Sequence, residues 1–161
     1  MNNIEEKISV VMITLNEEKS IEKVVTDIKN IGPRIEILIV DSSNDKTAEL
    51  AKKLGVKVIK QLPPKGYSPA MDLALKSASR EIVITLDCDD TYPADQIIPF
   101  ANKIDDGGYD VIDGDRLETR PKNMPLINYI ANRFFALTAS ILFLKKINDL
   151  HSGMRAYKKE I

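Results

Sequence analysis

Hydrophobic and polar positions alternate between two periods along this chain. Lys7 to Leu15 is a near-continuous β-branched and aliphatic run, which predicts a buried strand. Asn16 follows as a helix N-cap, with Glu17 and Glu18 complementing the positive helix end. Ile21, Val24, Val25, Ile28 and Ile31 then recur at helical spacing until Gly32-Pro33 ends the pattern. Glu36 to Asp41 predicts a second strand. Thr47, Leu50, Ala51 and Leu54 predict a helix stopped by Gly55. Val56 to Leu62 reads as a third strand, and Ser68-Pro69 opens a helix that runs to about Ser79. A fourth strand starts at Ile82 and ends on the acids at 87–90. A helix over 95–106, a strand over 110–115, a long apolar helix over 125–144 and a strand-like close at 149–157 complete the series. Strands alternating with helices through short links predict an α/β fold, a mostly parallel central sheet flanked by helices with right-handed crossovers.

Length and composition narrow the class. The 161 residues, 43% hydrophobic and 29% charged, suit one soluble domain. A polar Lys-Lys-Glu-Ile tail directly after a strand gives the expectation that the domain continues past Ile161. A net charge of -1 offers nothing to a nucleic acid partner. Cys88 is the single cysteine, which excludes an internal disulfide and points to a reducing, cytoplasmic compartment. Its acidic neighbours raise its pKa, which argues against a thiolate nucleophile. The first residues show no signal peptide. The longest apolar stretch, Phe134 to Leu144, is shorter than the roughly 20 residues of a bilayer span, so no transmembrane helix is expected. The 125–144 helix has two readings: a core helix, or an interfacial helix whose trailing Lys145-Lys146 meet acidic headgroups at the inner membrane face. Peripheral membrane contact is therefore confined to 125–146. Oligomeric state is not legible.

The candidate chemistry sits at strand ends. Asp87, Asp89 and Asp90 crowd the end of the fourth strand, and crowded carboxylates imply a divalent cation. Alternate residues on an extended chain share a side, so Asp87 and Asp89 can hold one Mg²⁺ or Mn²⁺ whose remaining ligands come from phosphate and water. A solvated acidic turn is the plain alternative. Thr14-Leu15-Asn16-Glu17 and Asp41-Ser42-Ser43-Asn44-Asp45 end the first two strands. In a parallel sheet these ends share one edge, where open α/β sheets bind ligands. Their polar groups suit a base or ribose. Neither G-x-G-x-x-G nor G-x-x-x-x-G-K-[ST] occurs. Arg133 within an apolar helix can also be read as snorkelling, Asp149 as a cap, and His151 as an ordinary loop histidine.

These segments resemble glycosyltransferase family two, and within it the dolichyl-phosphate mannose synthases and related polyprenyl-phosphate glycosyltransferases. Ile13-Thr14-Leu15-Asn16-Glu17 is similar to that family's P-T-x-N-E, and Val40 to Asp45 to its V-D-D-G-S-x-D. Lys65-Gly66, Asp87-Cys88-Asp89, Gly114-Asp115-Arg116 and Asp149 to Tyr157 are similar to its Lys-Gly loop, D-A-D, G-S-R and D-x-x-S-G-F-R-A-Y. Ile13 stands in place of Pro, and the D-D-G turn lacks its second Asp and its Gly.

The resemblance implies the GT-A fold and inverting transfer of a sugar from a nucleotide-diphosphate donor, of the GDP-mannose or UDP-glucose type, to a polyprenyl or dolichyl phosphate. It assigns Thr14, Asn16, Glu17, Asp41, Ser43, Lys65 and Asp87 to the donor nucleotide, and Asp87 and Asp89 to Mg²⁺ or Mn²⁺. Arg155 would steady the leaving diphosphate, Arg116 and Arg133 would meet the acceptor phosphate, and Asp149 would be the base if one acts. Two other readings stand beside it. Asp87-Cys88-Asp89-Asp90-Thr91 also fits the D-x-D-x-T of haloacid-dehalogenase-type phosphatases, with Asp87 as nucleophile and Asp89 as acid. A non-catalytic nucleotide-binding module is the third.

Overall fold

Val10 and Met12 turn to one face of the central sheet and Val11 to the other, as the two-residue period of a strand requires. In a computed structural model that describes residues 3–118 and 124–160, the chain divides into two compact units. One comprises Met1–Ile112 with Met154–Ile161, the other Asp113–Gly153.

The first unit is built on strands β1 (Ile8–Thr14), β2 (Glu36–Asp41), β3 (Lys57–Lys60), β4 (Ile82–Thr85), β5 (Val111–Asp113) and β6 (Arg155–Lys158), ordered β3-β2-β1-β4-β6-β5. β2, β1 and β4 are adjacent and parallel, so their carboxyl ends do share one edge. Helices α1 (Ile21–Ile31) and α4 (Ile97–Asp105) bury Ile21, Val25, Ile28, Ile97 and Ile104 against Val10, Met12, Ile39 and Ile84. Helix α2 (Thr47–Lys53) adds Ala51 to the same layer. Helix α3 (Tyr67–Ser77) covers the opposite face with Ala70 and Ala74, whose small side chains let it lie close to Val11, Leu38 and Val40.

Several boundaries differ from those the pattern predicts. The first helix starts at Ile21, behind Ser20, and not behind Asn16. Asn16 instead takes a left-handed backbone (φ 62°), which asparagine tolerates better than most residues. β3 is shorter than 56–62, since the chain leaves the sheet before Pro63. α3 begins at Tyr67, and its N-cap is Gly66 at φ 93°, a conformation glycine adopts readily, so Ser68 is not the cap. A 3₁₀ turn at Ala94–Gln96 precedes α4. β6 runs antiparallel between β4 and β5, an insertion no local pattern announced.

The second unit contains α5 (Leu126–Phe143). The core-helix reading fails for it. Only Ala136 and Ala139 are buried, while Ile127, Leu142 and Leu144 are 71%, 74% and 91% exposed. By length and composition α5 is also long and apolar enough to cross a membrane, which corrects the shorter span counted from Phe134. The helix continues back through Leu126, and Asn128, Asn132 and Arg133 interrupt it without ending it.

Candidate active site

The first two strand ends are laced by polar bonds. Asn16 donates its backbone N–H to Ser43 Oγ (2.8 Å), and its Oδ1 accepts the N–H of Asn44 (3.1 Å). Glu17 N–H donates to Thr47 Oγ1 (2.9 Å), and Thr47 in turn donates to Asp45 Oδ1. Asn16 and Ser43, assigned to the nucleotide from sequence, therefore spend these bonds joining two turns.

Asp41 is the hub of this lacing. It is fully buried, yet it accepts Thr14 Oγ1 (2.7 Å) and Ser43 Oγ (2.5 Å) on Oδ1 and Lys60 Nζ (2.5 Å) on Oδ2. Its carboxylate faces protein donors on both oxygens. Lys60 was not singled out from sequence. The register of β2 and β3, which sets Asp41 opposite Lys60, is what brings it there.

Beyond the lacing lies a cavity of about 350 Å³. Thr14, Leu15, Glu17, Ser42, Tyr67, Asp87 and Asp89 all line it. Asp87 and Asp89 thus open into one space, and the buried Cys88 between them lies where the cavity wall meets the core. Burial first, then the charges of Glu17 and Asp89, push the Cys88 thiol up to about 12, so it stays protonated. Asp89 Oδ1 accepts the N–H of Thr91 (3.0 Å), a turn that fixes the loop. The acidic oxygens suit a hard cation such as Mg²⁺ or Mn²⁺. Among the described residues no three His, Cys, Asp or Glu side chains gather to hold a metal alone.

Arg155 reaches the same edge through β6. Antiparallel pairing sets it opposite Thr85, and its N–H donates to Thr85 Oγ1 (3.2 Å). Tyr67, also missed from sequence, senses both groups. Burial raises its phenol pKa, the Asp87 charge adds to the rise, and Arg155 opposes it. Lys65 is exposed and does not line the cavity, although Pro64 and Gly66 beside it do.

In the second unit, two residues given separate roles from sequence are partners. Arg116 Nε and Nη2 donate to Asp149 Oδ2 (2.8 Å) and Oδ1 (3.2 Å), and Nη2 also donates to the His151 carbonyl. Burial alone would lift the Asp149 carboxyl. The bonds from Arg116 and from His151 N–H outweigh it and hold the pKa below the ordinary carboxylate range. A base matched to neutral pH is favoured by the opposite shift, and the Asp149 carboxylate is engaged by Arg116 and His151 N–H. A carboxyl lowered by folding stabilises above its unfolded pKa of about 3.9, and that contribution is lost as pH falls through the folded value. Asp149→Asn is expected to flatten this acid limb of the unfolding curve and to cost about 1.5–3 kcal/mol at pH 7. Circular-dichroism melts between about pH 2 and 7 read both effects; an acid limb kept by the variant would contradict the assignment.

Arg133 donates to the Leu117 carbonyl (3.2 Å) and lies over the Tyr129 ring at 5.9 Å. With Lys145, Lys146, Leu137 and Ile141 it lines a second cavity of about 840 Å³. Arg116 does not line it.

A model of glycosyl transferase family 2 matches residues 9–161. The chain belongs to glycosyltransferase family 2. This family 2 chain is 43% identical over 155 residues to a dolichyl-phosphate hexose transferase of Haloferax volcanii, covering 96% of this chain and 67% of the relative. It is 30% identical over 167 residues to a dolichol-phosphate mannosyltransferase of Pyrococcus furiosus, covering 96% of this chain and 47% of the relative. It is also similar to the glucosyl-3-phosphoglycerate synthase of Mycobacterium tuberculosis crystallised with Mn²⁺, UDP-glucose and glycerol 3-phosphate. There the TM-score is 0.72 at 25% identity, over 96% of this chain and 57% of that one. The fold is the GT-A fold of these glycosyltransferases. The family 2 assignment removes the support for a phosphatase. That reading also sits badly with an acidic cluster after the fourth strand in chain order.

Proposed function

We propose that this family 2 chain carries the donor half of a metal-dependent inverting glycosyltransferase. It would move a hexose from a nucleoside diphosphate to a polyprenyl phosphate. The observation that carries the reading is the Asp87–Asp89 pair: two carboxylates in one cavity at the sheet's carboxyl edge, with no third acidic, His or Cys ligand among the described residues. Such a pair is completed by a diphosphate. When bound, Mg²⁺ or Mn²⁺ supplies positive charge to the leaving diphosphate.

The chain's own residues do the rest. Asp87 and Asp89 hold the cation, and Glu17 and Thr14 face the same space. Arg155 donates its charge to the departing diphosphate oxygens. An acceptor phosphate oxygen forms the new bond at the sugar's anomeric carbon. The carbon–oxygen bond to the diphosphate breaks, and the diphosphate keeps the electron pair. A phosphate acceptor is already ionised near neutral pH, so no side chain need remove a proton. Arg133, Lys145 and Lys146 offer the acceptor phosphate its counter-charge beside apolar walls. The Asp149–Arg116 pair positions the loop that leads to β6.

The lipid character of the acceptor rests on α5 as well as on the relatives' names. Its exposed Ile127, Ile130, Phe134, Leu142 and Phe143 end at Lys145-Lys146, the composition of a helix lying in an acidic interface. Co-sedimentation with vesicles containing anionic lipid is expected, weakening with salt and with Lys145→Glu/Lys146→Glu. A folded sample that ignores such vesicles removes the membrane claim. The donor reading is tested by melting the protein with GDP, UDP and their sugar conjugates, with and without Mn²⁺. A shift is expected only when nucleotide and cation are both present.

A further inference from the structure

Asp90 completes the acidic cluster at 87–90, yet it does not line the cavity that Asp87 and Asp89 share. Among the described residues no three acidic, His or Cys side chains gather to hold a metal, so Asp90 stands outside any such group. Its backbone is left-handed (φ 61°), a conformation that costs most residues energy and that aspartate tolerates better. The turn is fixed on both sides. Asp89 Oδ1 accepts the Thr91 N–H (3.0 Å), and Asp90 Oδ1 accepts Lys23 Nζ (2.5 Å). Lys23 stands on the first turn of α1, where its Nζ also donates to Asp27 Oδ2 (2.9 Å), one turn further along. The lysine is thus aimed from its own helix, and Asp90 is drawn toward α1. An exposed pair of this kind adds little to overall stability. Its consequence is local: it decides where a third carboxylate points.

We propose that Lys23 is a positioning residue of the metal pair, a role that rests on the donor reading above. It holds Asp90 off the cation, so that tight cation binding waits for the donor's diphosphate. The affinity of a site for a hard cation rises with the number of charged oxygens it offers. A divalent cation on two carboxylates is electrically neutral and can still accept a diphosphate. On three carboxylates it carries a net negative charge and repels one. Asp90 is next in the chain to Asp89, so it is the carboxylate placed to join the pair once its turn opens. Removing Lys23 releases the side chain, and leaving the left-handed conformation relieves its backbone cost. Lys23 reaches this loop from 67 residues away, and it touches neither the cation's acids nor the cavity.

The test is calorimetry with Mn²⁺ alone, and then with UDP and GDP in its presence, at about 0.5 M salt, where long-range charge effects are screened. The proteins are wild type, Lys23→Met, Lys23→Arg and Lys23→Met/Asp90→Asn. Lys23→Met is expected to bind Mn²⁺ alone about three- to tenfold tighter than wild type, and to bind nucleotide with Mn²⁺ weaker by a similar factor. Lys23→Arg keeps the pair and is expected to match wild type. The double variant removes the released carboxylate and is expected to return both affinities to wild type. Unliganded melting temperatures are expected to agree within about 2 °C, whereas a merely structural role would move those and leave Mn²⁺ binding alone. Unchanged or weaker Mn²⁺ binding by Lys23→Met would overturn the proposal, as would a gain that the double variant keeps. If wild type binds neither nucleotide with Mn²⁺, the donor reading itself fails. If it binds one and Lys23→Met behaves identically, only the role of Lys23 falls.

Discussion

Asp89→Ala is expected to erase the melting-temperature rise that a nucleoside diphosphate and Mn²⁺ together produce. In the wild type, ligand at about a hundred times its dissociation constant contributes about 2.7 kcal/mol. At about 2–4 °C per kcal/mol for a chain of this size, the rise is roughly 5–10 °C. The variant is left with Asp87, and the described residues supply no third acidic, His or Cys ligand to replace the lost one. A lone carboxylate binds a hydrated divalent cation too weakly for the diphosphate to gain from it. Without ligand the variant is expected to melt within about 2 °C of wild type, because Asp89 is exposed and its removal relieves repulsion with Asp87. Asp87→Asn gives the same loss. A shift that survives either change would mean the nucleotide does not meet a cation at this pair.

The second large effect is on stability. Asp41→Ala is expected to lower stability by about 3–5 kcal/mol, which is a fall in melting temperature of roughly 6–20 °C. The side chain is fully buried and accepts from Thr14, Ser43 and Lys60. Its loss strands two buried hydroxyls and opens a polar hole between the ends of β1 and β2. Lys60→Met is expected to be comparably harmful, since it leaves a buried carboxylate without its counter-ion. The double variant Asp41→Asn/Lys60→Met removes both charges at once and is expected to cost clearly less than the sum of its parts. Additive losses, or a fall below about 2 °C for Asp41→Ala, would show that the carboxylate is not the hub of these strand ends.

Part of this site was open to a reader of the chain. Asp87 and Asp89 follow a buried β-branched run, but β4 ends at Thr85 and residues 88–90 form a bend, so the shared cavity and not strand alternation brings the two carboxylates together. The three acid- and hydroxyl-bearing strand ends were also local, and adjacency of β2, β1 and β4 put them on one edge. The protein partners of Asp41 were not legible, because a carboxylate at a strand end looks like an open acceptor until its cross-strand neighbour is known. That neighbour, Lys60, lies on a strand set beside it only by sheet register. Arg116 and Asp149 were given separate roles for the same reason, since 33 residues separate two groups that share two bonds.

The sequence alone determined the alternation of strands and helices, the acid pair and the family motifs. Hydrophobic period and backbone geometry act over a few residues, so they are written locally. Tertiary structure decided the partners. It inserted β6 antiparallel beside β4 and so delivered Arg155 to the acid edge, sealed Asp41 with Lys60, and brought Tyr67 to the cavity wall. It also left the apolar length of α5 exposed. Each of these depends on which distant segment lies alongside. Long-range pairing is settled by burying the whole core at once, and no single stretch of the chain encodes it.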